Sequence, residues 1–205
     1  MNCYKIILNS KNVFVFLFLS ILIISCNKNK DEIEDYEDYV ASDKSKLGIE
    51  VDDQELGIKF YPPKDWELRQ TSISKKIESR GVKNNNENFI YEPTYVFFNS
   101  SVGGLLSVGK ITTSDSTLSR SAKLNYYKGL LSQKYKDNNL MVAKFIYSKI
   151  YFTQFHLQKE NLTSFKIVFE NSVNSIIQFD YTLPSNEIDS NILSVKASIG
   201  SIRLK

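Results

Sequence analysis

The feature that most restricts this chain is an alternation of period two that recurs from residue 141 to residue 183. Phe145 and Tyr147 begin it, and Tyr151–Leu157 continues it. Phe165, Ile167 and Phe169 then fall on one side and Lys166 and Glu170 on the other. Ile177, Phe179, Tyr181 and Leu183 repeat the pattern opposite Gln178 and Asp180. Successive strand side chains project to opposite faces, so this pattern predicts strands with one apolar face. Asn161 and the stretch Asn171 to Asn174 interrupt it at turn-forming residues. The reading is an antiparallel meander with one face buried.

The neighbouring segments add helices to that sheet. Ser114, Asp115 and Ser116 offer N-caps, and Leu118, Ala122, Leu124, Tyr127, Leu130, Leu131 and Tyr135 recur at helical spacing until Asp137-Asn138-Asn139. A second helix follows Pro184-Ser185, with Ile188, Ile192, Val195 and Ile199 on one stripe. Upstream, Gly57–Tyr61 reads as a strand ended by Pro62-Pro63, which lack the donors a ladder needs. Lys64-Asp65 then turns the chain into Trp66–Arg69. Residues 71 to 88 are polar and are expected to hold a short helix and a loop. Tyr95–Phe98 and Leu105–Ile111 form a strand pair around Gly103-Gly104. Together these predict an α+β domain over 56–205, an antiparallel β-sheet of about six or more strands with helices packed on it.

The N-terminal region has different physics. Lys5 and Lys11 precede an apolar run, Val13 to Ile24, interrupted only by Ser20. Twelve helical residues reach roughly 18 Å, short of the ~30 Å hydrocarbon core of a bilayer. That length fits a signal-peptide core. The run closes in Ile23-Ile24-Ser25-Cys26, which resembles the lipobox of bacterial lipoproteins. The resemblance implies a signal peptide over 1–25, cleavage between Ser25 and Cys26, and acylation of Cys26, palmitate included. Cys3 and Cys26 are the only cysteines, so the expected mature domain has neither a disulfide nor a cysteine metal site. Acyl chains at ~0.8 kcal/mol per buried methylene would hold it on a membrane.

Between Lys28 and Glu55 eleven acids stand against four lysines, and apolar residues are sparse. This predicts a charged, extended tether over 26–55. Lys30-Asp31-Glu32 is similar to short signals that send some lipoproteins to the outer cell surface, which points to the outer membrane and to surface exposure. Without the tether, residues 56–205 hold twenty bases and twelve acids. The lysines are scattered along the sequence and no nucleic-acid motif accompanies them.

Chemistry-bearing residues are few. His156 is the only histidine and sits in a strand pattern, where a half-buried structural role is the ordinary one. A Ser-His-Asp arrangement would need it as base, yet no Gly-x-Ser-x-Gly turn is present. A zinc site would need three carboxylates, and Gly103-Gly104 lacks the remaining residues of a phosphate loop. No catalytic residue, metal or cofactor is therefore expected.

Leu56-Gly57-Ile58-Lys59-Phe60-Tyr61-Pro62-Pro63-Lys64-Asp65-Trp66 resembles the opening strand, proline turn and tryptophan of the Mog1/PsbP-like family, and Ile192–Ile202 resembles its terminal helix. The resemblance implies an α/β/α sandwich that acts as a binding or assembly subunit, without catalytic residues to carry over. Trp66 and Tyr61 are candidate binding residues. Trp66 is either a partner-facing anchor or the cap of the core, and some of the tyrosines either line a groove or fill strand faces. The reading is a lipid-anchored envelope module that contacts another envelope protein. The alternative is a binder of a small anionic or glycan ligand in a lysine- and tyrosine-lined pocket.

Overall fold

The computed structural model describes residues 43–69, 89–113 and 119–205. Its strands are β1 (Val51–Asp53), β2 (Ile58–Phe60), β3 (Glu67–Leu68), β4 (Phe89–Asn99), β5 (Gly104–Thr113), β6 (Met141–Tyr147), β7 (Ile150–Lys159), β8 (Leu162–Glu170), β9 (Ile176–Pro184) and β10 (Arg203–Leu204). Helix α1 spans Arg120–Lys134 and α2 spans Ile188–Gly200.

The large sheet is antiparallel, in the order β3-β4-β5-β9-β8-β7-β6. The expected meander is present as β6 to β9, in consecutive antiparallel pairs. A two-residue turn, Ser148-Lys149, joins β6 to β7 with φ of 50° and 66°, the left-handed pair that suits the twist of a tight hairpin. The β4–β5 hairpin closes through residues 100–103, with Asn99 opposite Gly104, so the expected glycine pair leads out of the turn.

Period-two alternation divides the core in two. Phe165, Ile167 and Phe169 of β8 and Ile177, Phe179, Tyr181 and Leu183 of β9 enter one cluster, with Phe60, Val195 and Ile199 from β2 and α2. Val168 and Ile176, from the alternate positions, join Phe89, Phe155, Tyr127 and Leu131 in a second cluster. Helix α1 thus covers one face of the sheet and α2 the other, the sandwich arrangement expected. A single buried face is too simple a reading, however. The polar positions Lys166 and Gln178 are also buried, because α1 lies over them: Tyr127 donates to Gln178 at 2.6 Å, and the Lys166 ammonium lies 5.7 Å from the Tyr135 ring.

Three differences from the sequence reading stand out. The domain begins before residue 56, since Val51–Asp53 pairs with Ile58–Phe60. A tether over 43–55 is therefore corrected: its apolar residues are too few for a core but enough to pair with one that already exists. Helix α1 is capped by Ser119, whose Oγ accepts from the Ala122 amide; Ser114, Asp115, Ser116 and Leu118 lie outside the described residues. Finally, α2 stops at Gly200, and Arg203-Leu204 returns as a strand on β2. The short helix expected within 71–88, the tether over 26–42 and the segment through Cys26 also lie outside the described residues.

Candidate functional site

The three-stranded sheet β1-β2-β10 and the end of α2 bound a cleft of about 380 Å³. Lys44, Leu47, Gly48, Glu50, Lys59, Tyr61, Ser201 and Arg203 line it. Each wall has a local cause. Asp43 caps a single 3-10 turn, Lys44–Lys46, by accepting from the Ser45 amide at 3.0 Å. The Gly48 amide then donates to the Pro62 carbonyl at 2.8 Å. A Cβ at Gly48 would lie 3.3 Å from that carbonyl and from Pro62 Cγ, so a small residue lets the two segments close up.

Tyr61 is held from behind by α2. Its amide donates to Ser201 Oγ at 2.9 Å, and its carbonyl accepts from Ser198 Oγ at 2.6 Å. Ser198 is fully buried and also shares a hydrogen bond with the Tyr181 hydroxyl at 2.9 Å. Two serines thus satisfy the backbone that Pro62 and Pro63 leave without a ladder, and they orient the Tyr61 ring toward the cleft. The Tyr61 hydroxyl donates to Glu50, which together with partial burial holds it above the usual phenol value.

Charge in the cleft is arranged in a chain. Lys59 lies 2.6 Å from Asp52 and 4.0 Å from Glu50, and Lys205 reaches the other Asp52 oxygen. Hydrogen bonds from Lys205 and then Lys59 hold the Asp52 carboxyl below its usual value, and Asp52 in turn raises Lys59. Arg203 caps α2 through the carbonyls of Gly200 and Ile202, at 2.9 and 2.7 Å, and stacks 5.1 Å from the Tyr147 ring. The lining carries Lys44, Lys59 and Arg203 against Glu50, and because Asp52 pairs with Lys59 at 2.6 Å, the positive character beside the aromatic ring comes from Lys44 and Arg203. Such a pocket suits a carboxylate, phosphate or polar saccharide more than an apolar molecule.

Of the residues singled out in the sequence, Tyr61 lines this cleft and Trp66 does not. Trp66 is 6% exposed and packs edge-on to Tyr181 at 6.5 Å, inside the main cluster. A partner-facing role for Trp66 is corrected to a core role, because its indole packs against Gly104 of β5 and Tyr181 of β9. His156 is half-buried, its ring stacked on Phe165 at 4.7 Å, and burial holds its imidazole below the usual value. Among the described residues, no three histidine, cysteine, aspartate or glutamate side chains gather as a metal site would need. Ser25 and Cys26 are outside them. Lys44, Gly48, Glu50, Ser201 and Arg203 went unread in the sequence. Leu47, Ile49 and Val51 alternate, and that was the signal, but it is only five residues long and sits among acids.

No protein-family model matches the chain, and no curated protein matches it in sequence. Similar solved structures include the cyanobacterial PsbP of Synechocystis, at 12% identity and a TM-score of 0.48, covering 78% of this chain and 94% of that one. They also include LpqN of Mycobacterium tuberculosis, described as involved in cell envelope biogenesis, at 12% identity and a TM-score of 0.46, covering 85% and 99%. This is a likeness of fold, and it carries no function across.

Proposed function

We propose that this chain is a non-enzymatic binding module of the bacterial cell envelope, held on a membrane by lipid at Cys26, that takes a small anionic or glycan ligand in the cleft beside Tyr61. The observation that supports the ligand is the cleft itself: concave, backed by a rigidly held tyrosine, and lined by three cations and one acid. The first reading of the sequence, contact with another envelope protein through an apolar patch near Trp66, loses its anchor, since that indole is buried. Binding without catalysis agrees with His156, whose ring rests on Phe165. In the described residues no helix is long and apolar enough to cross a membrane; the anchoring in this proposal rests on the lipobox-like Ile23–Cys26 alone.

The test is a titration of isotopically labelled protein with inorganic phosphate, citrate and a uronic-acid disaccharide, followed by amide NMR. Shifts confined to Gly48, Tyr61 and Ser201, reduced in Lys44→Ala and Tyr61→Phe, are expected for at least one probe. Shifts spread evenly over surface amides, or unchanged in both variants, would sink the cleft as a site.

A further inference from the structure

Most of the positive excess of the domain comes from one span of the chain. Residues 119–159 hold eight bases and a single acid, Asp137, whereas residues 43–69 hold five bases and seven acids. On α1 and its exit these are Arg120, Lys123, Lys128, Lys134 and Lys136; Lys144, Lys149 and Lys159 follow on the β6–β7 hairpin. Lys144 lies on the side of the sheet that α1 covers, while Lys149 and Lys159 mark the two ends of β7, roughly 30 Å apart at ~3.3 Å per residue. Helix α1 packs on the face that holds Phe155 and Val168. By register, Val142, Lys144 and Tyr151 stand on that same side of the outermost strands.

Lys134, in the last turn of α1, complements the negative end of the helix dipole, but the charge at the other end does not serve the helix. The first turn of α1 contains no acid, and Lys123 there opposes the positive end of the helix dipole. Interleaved with the cations are exposed apolar groups: Tyr126 at 51%, Val142 at 47% and Tyr151 at 70%. A soluble polyanion would use the cations alone. Cations with exposed rings and a valine between them match a bilayer surface, where ammonium groups meet headgroups and the apolar groups enter the interface.

We infer that the surface formed by α1 and the β6–β7 hairpin docks on anionic phospholipid headgroups and sets how the domain lies on its membrane. This rests on the anchoring reading of Cys26 only for bringing a bilayer within reach, and it is independent of the cleft. What matters is the field summed over the patch rather than any one ammonium; Lys134, for example, also lies over the Tyr135 ring.

The experiment is amine footprinting of the native, lipidated protein, reconstituted in vesicles of phosphatidylcholine alone or with phosphatidylglycerol. Modification by a water-soluble acylating reagent is read residue by residue by mass spectrometry, with exposed Lys64, outside the patch, as internal reference. In phosphatidylglycerol vesicles Lys134, Lys136, Lys144 and Lys149 should be shielded relative to Lys64. The shielding should vanish in 1 M salt, where the screening length is about 3 Å. Each of Lys134→Gln, Lys136→Gln and Lys144→Gln should weaken docking roughly fivefold. Equal labelling on both vesicles would overturn the inference, as would shielding of Lys64 to the same degree. Shielding by a soluble acidic polysaccharide but not by vesicles would overturn it too. A protein whose mass shows no lipid would instead defeat the anchoring reading, so the two failures are distinguishable.

Discussion

Gly104 faces the indole of Trp66 so closely that a Cβ at that position would lie 2.7 Å from Trp66 Cζ2. The glycine is there to admit the tryptophan. Gly104→Ala should therefore displace the ring and lower stability by about 1–3 kcal/mol, as overpacking does. Chemical unfolding followed by Trp66 fluorescence measures both effects, since Trp66 is the only tryptophan. Unchanged stability with an unchanged emission spectrum would refute the contact.

Lys166 and Asp180 form an ion pair beneath α1, at side-chain exposures of 11% and 20%. Burial pushes the Lys166 ammonium down, but the Asp180 carboxylate outweighs it and the net direction is upward. Lys166→Met strands the carboxylate, one of whose oxygens already has no hydrogen-bond partner among the described residues. The expected loss is about 3–5 kcal/mol. The double variant Lys166→Met/Asp180→Leu should recover most of it, and a urea denaturation series of the three proteins checks this.

Ser198 joins α2 to both the Tyr61 carbonyl and the Tyr181 hydroxyl. Ser198→Ala leaves buried polar groups short of partners and should cost about 1–3 kcal/mol. Hydrogen exchange should also quicken around Tyr61 and Ser201, with β6–β7 unaffected.

His156 supplies a pH dependence whose sign is fixed. Its folded value lies below the ordinary 6.5 because burial disfavours the imidazolium. Between that folded value and 6.5 the unfolded chain binds more protons, so stability falls as the pH drops through this window. His156→Phe, placed on Phe165, should flatten the slope of unfolding free energy between pH 7.5 and 5. An identical slope in both proteins would assign the effect to other groups.

Cys26→Ala should leave an uncleaved precursor and abolish incorporation of labelled palmitate in bacteria. A product of unchanged mobility that still carries label would place the lipid elsewhere.

Much of the fold was legible in local pattern. Period two along β8 and β9, the proline stop after Phe60, the glycine pair before Leu105 and the stripe through Val195 and Ile199 are each a local consequence of strand, turn or helix geometry. What failed was short and borrowed its stability. The strand Val51–Asp53 has three residues, and β10 only two. Neither carries a pattern long enough to stand out, and each exists because β2 is already in place to pair with it. The cap at Ser119 was missed because several serines and an aspartate compete in that stretch.

By itself the sequence determined the antiparallel α+β architecture, a domain without cysteine if Cys26 is the lipid site, and the size of the positive excess. Those follow from composition and from side-chain periodicity, which any short window contains. Only the tertiary structure decided that Trp66 faces inward, that Tyr61 meets Lys44 and Arg203 in one cleft, and that Lys144 stands on the side of the sheet that α1 covers. These are distances between segments remote in the chain, and they are set by how α1, α2 and the small sheet pack on the large one.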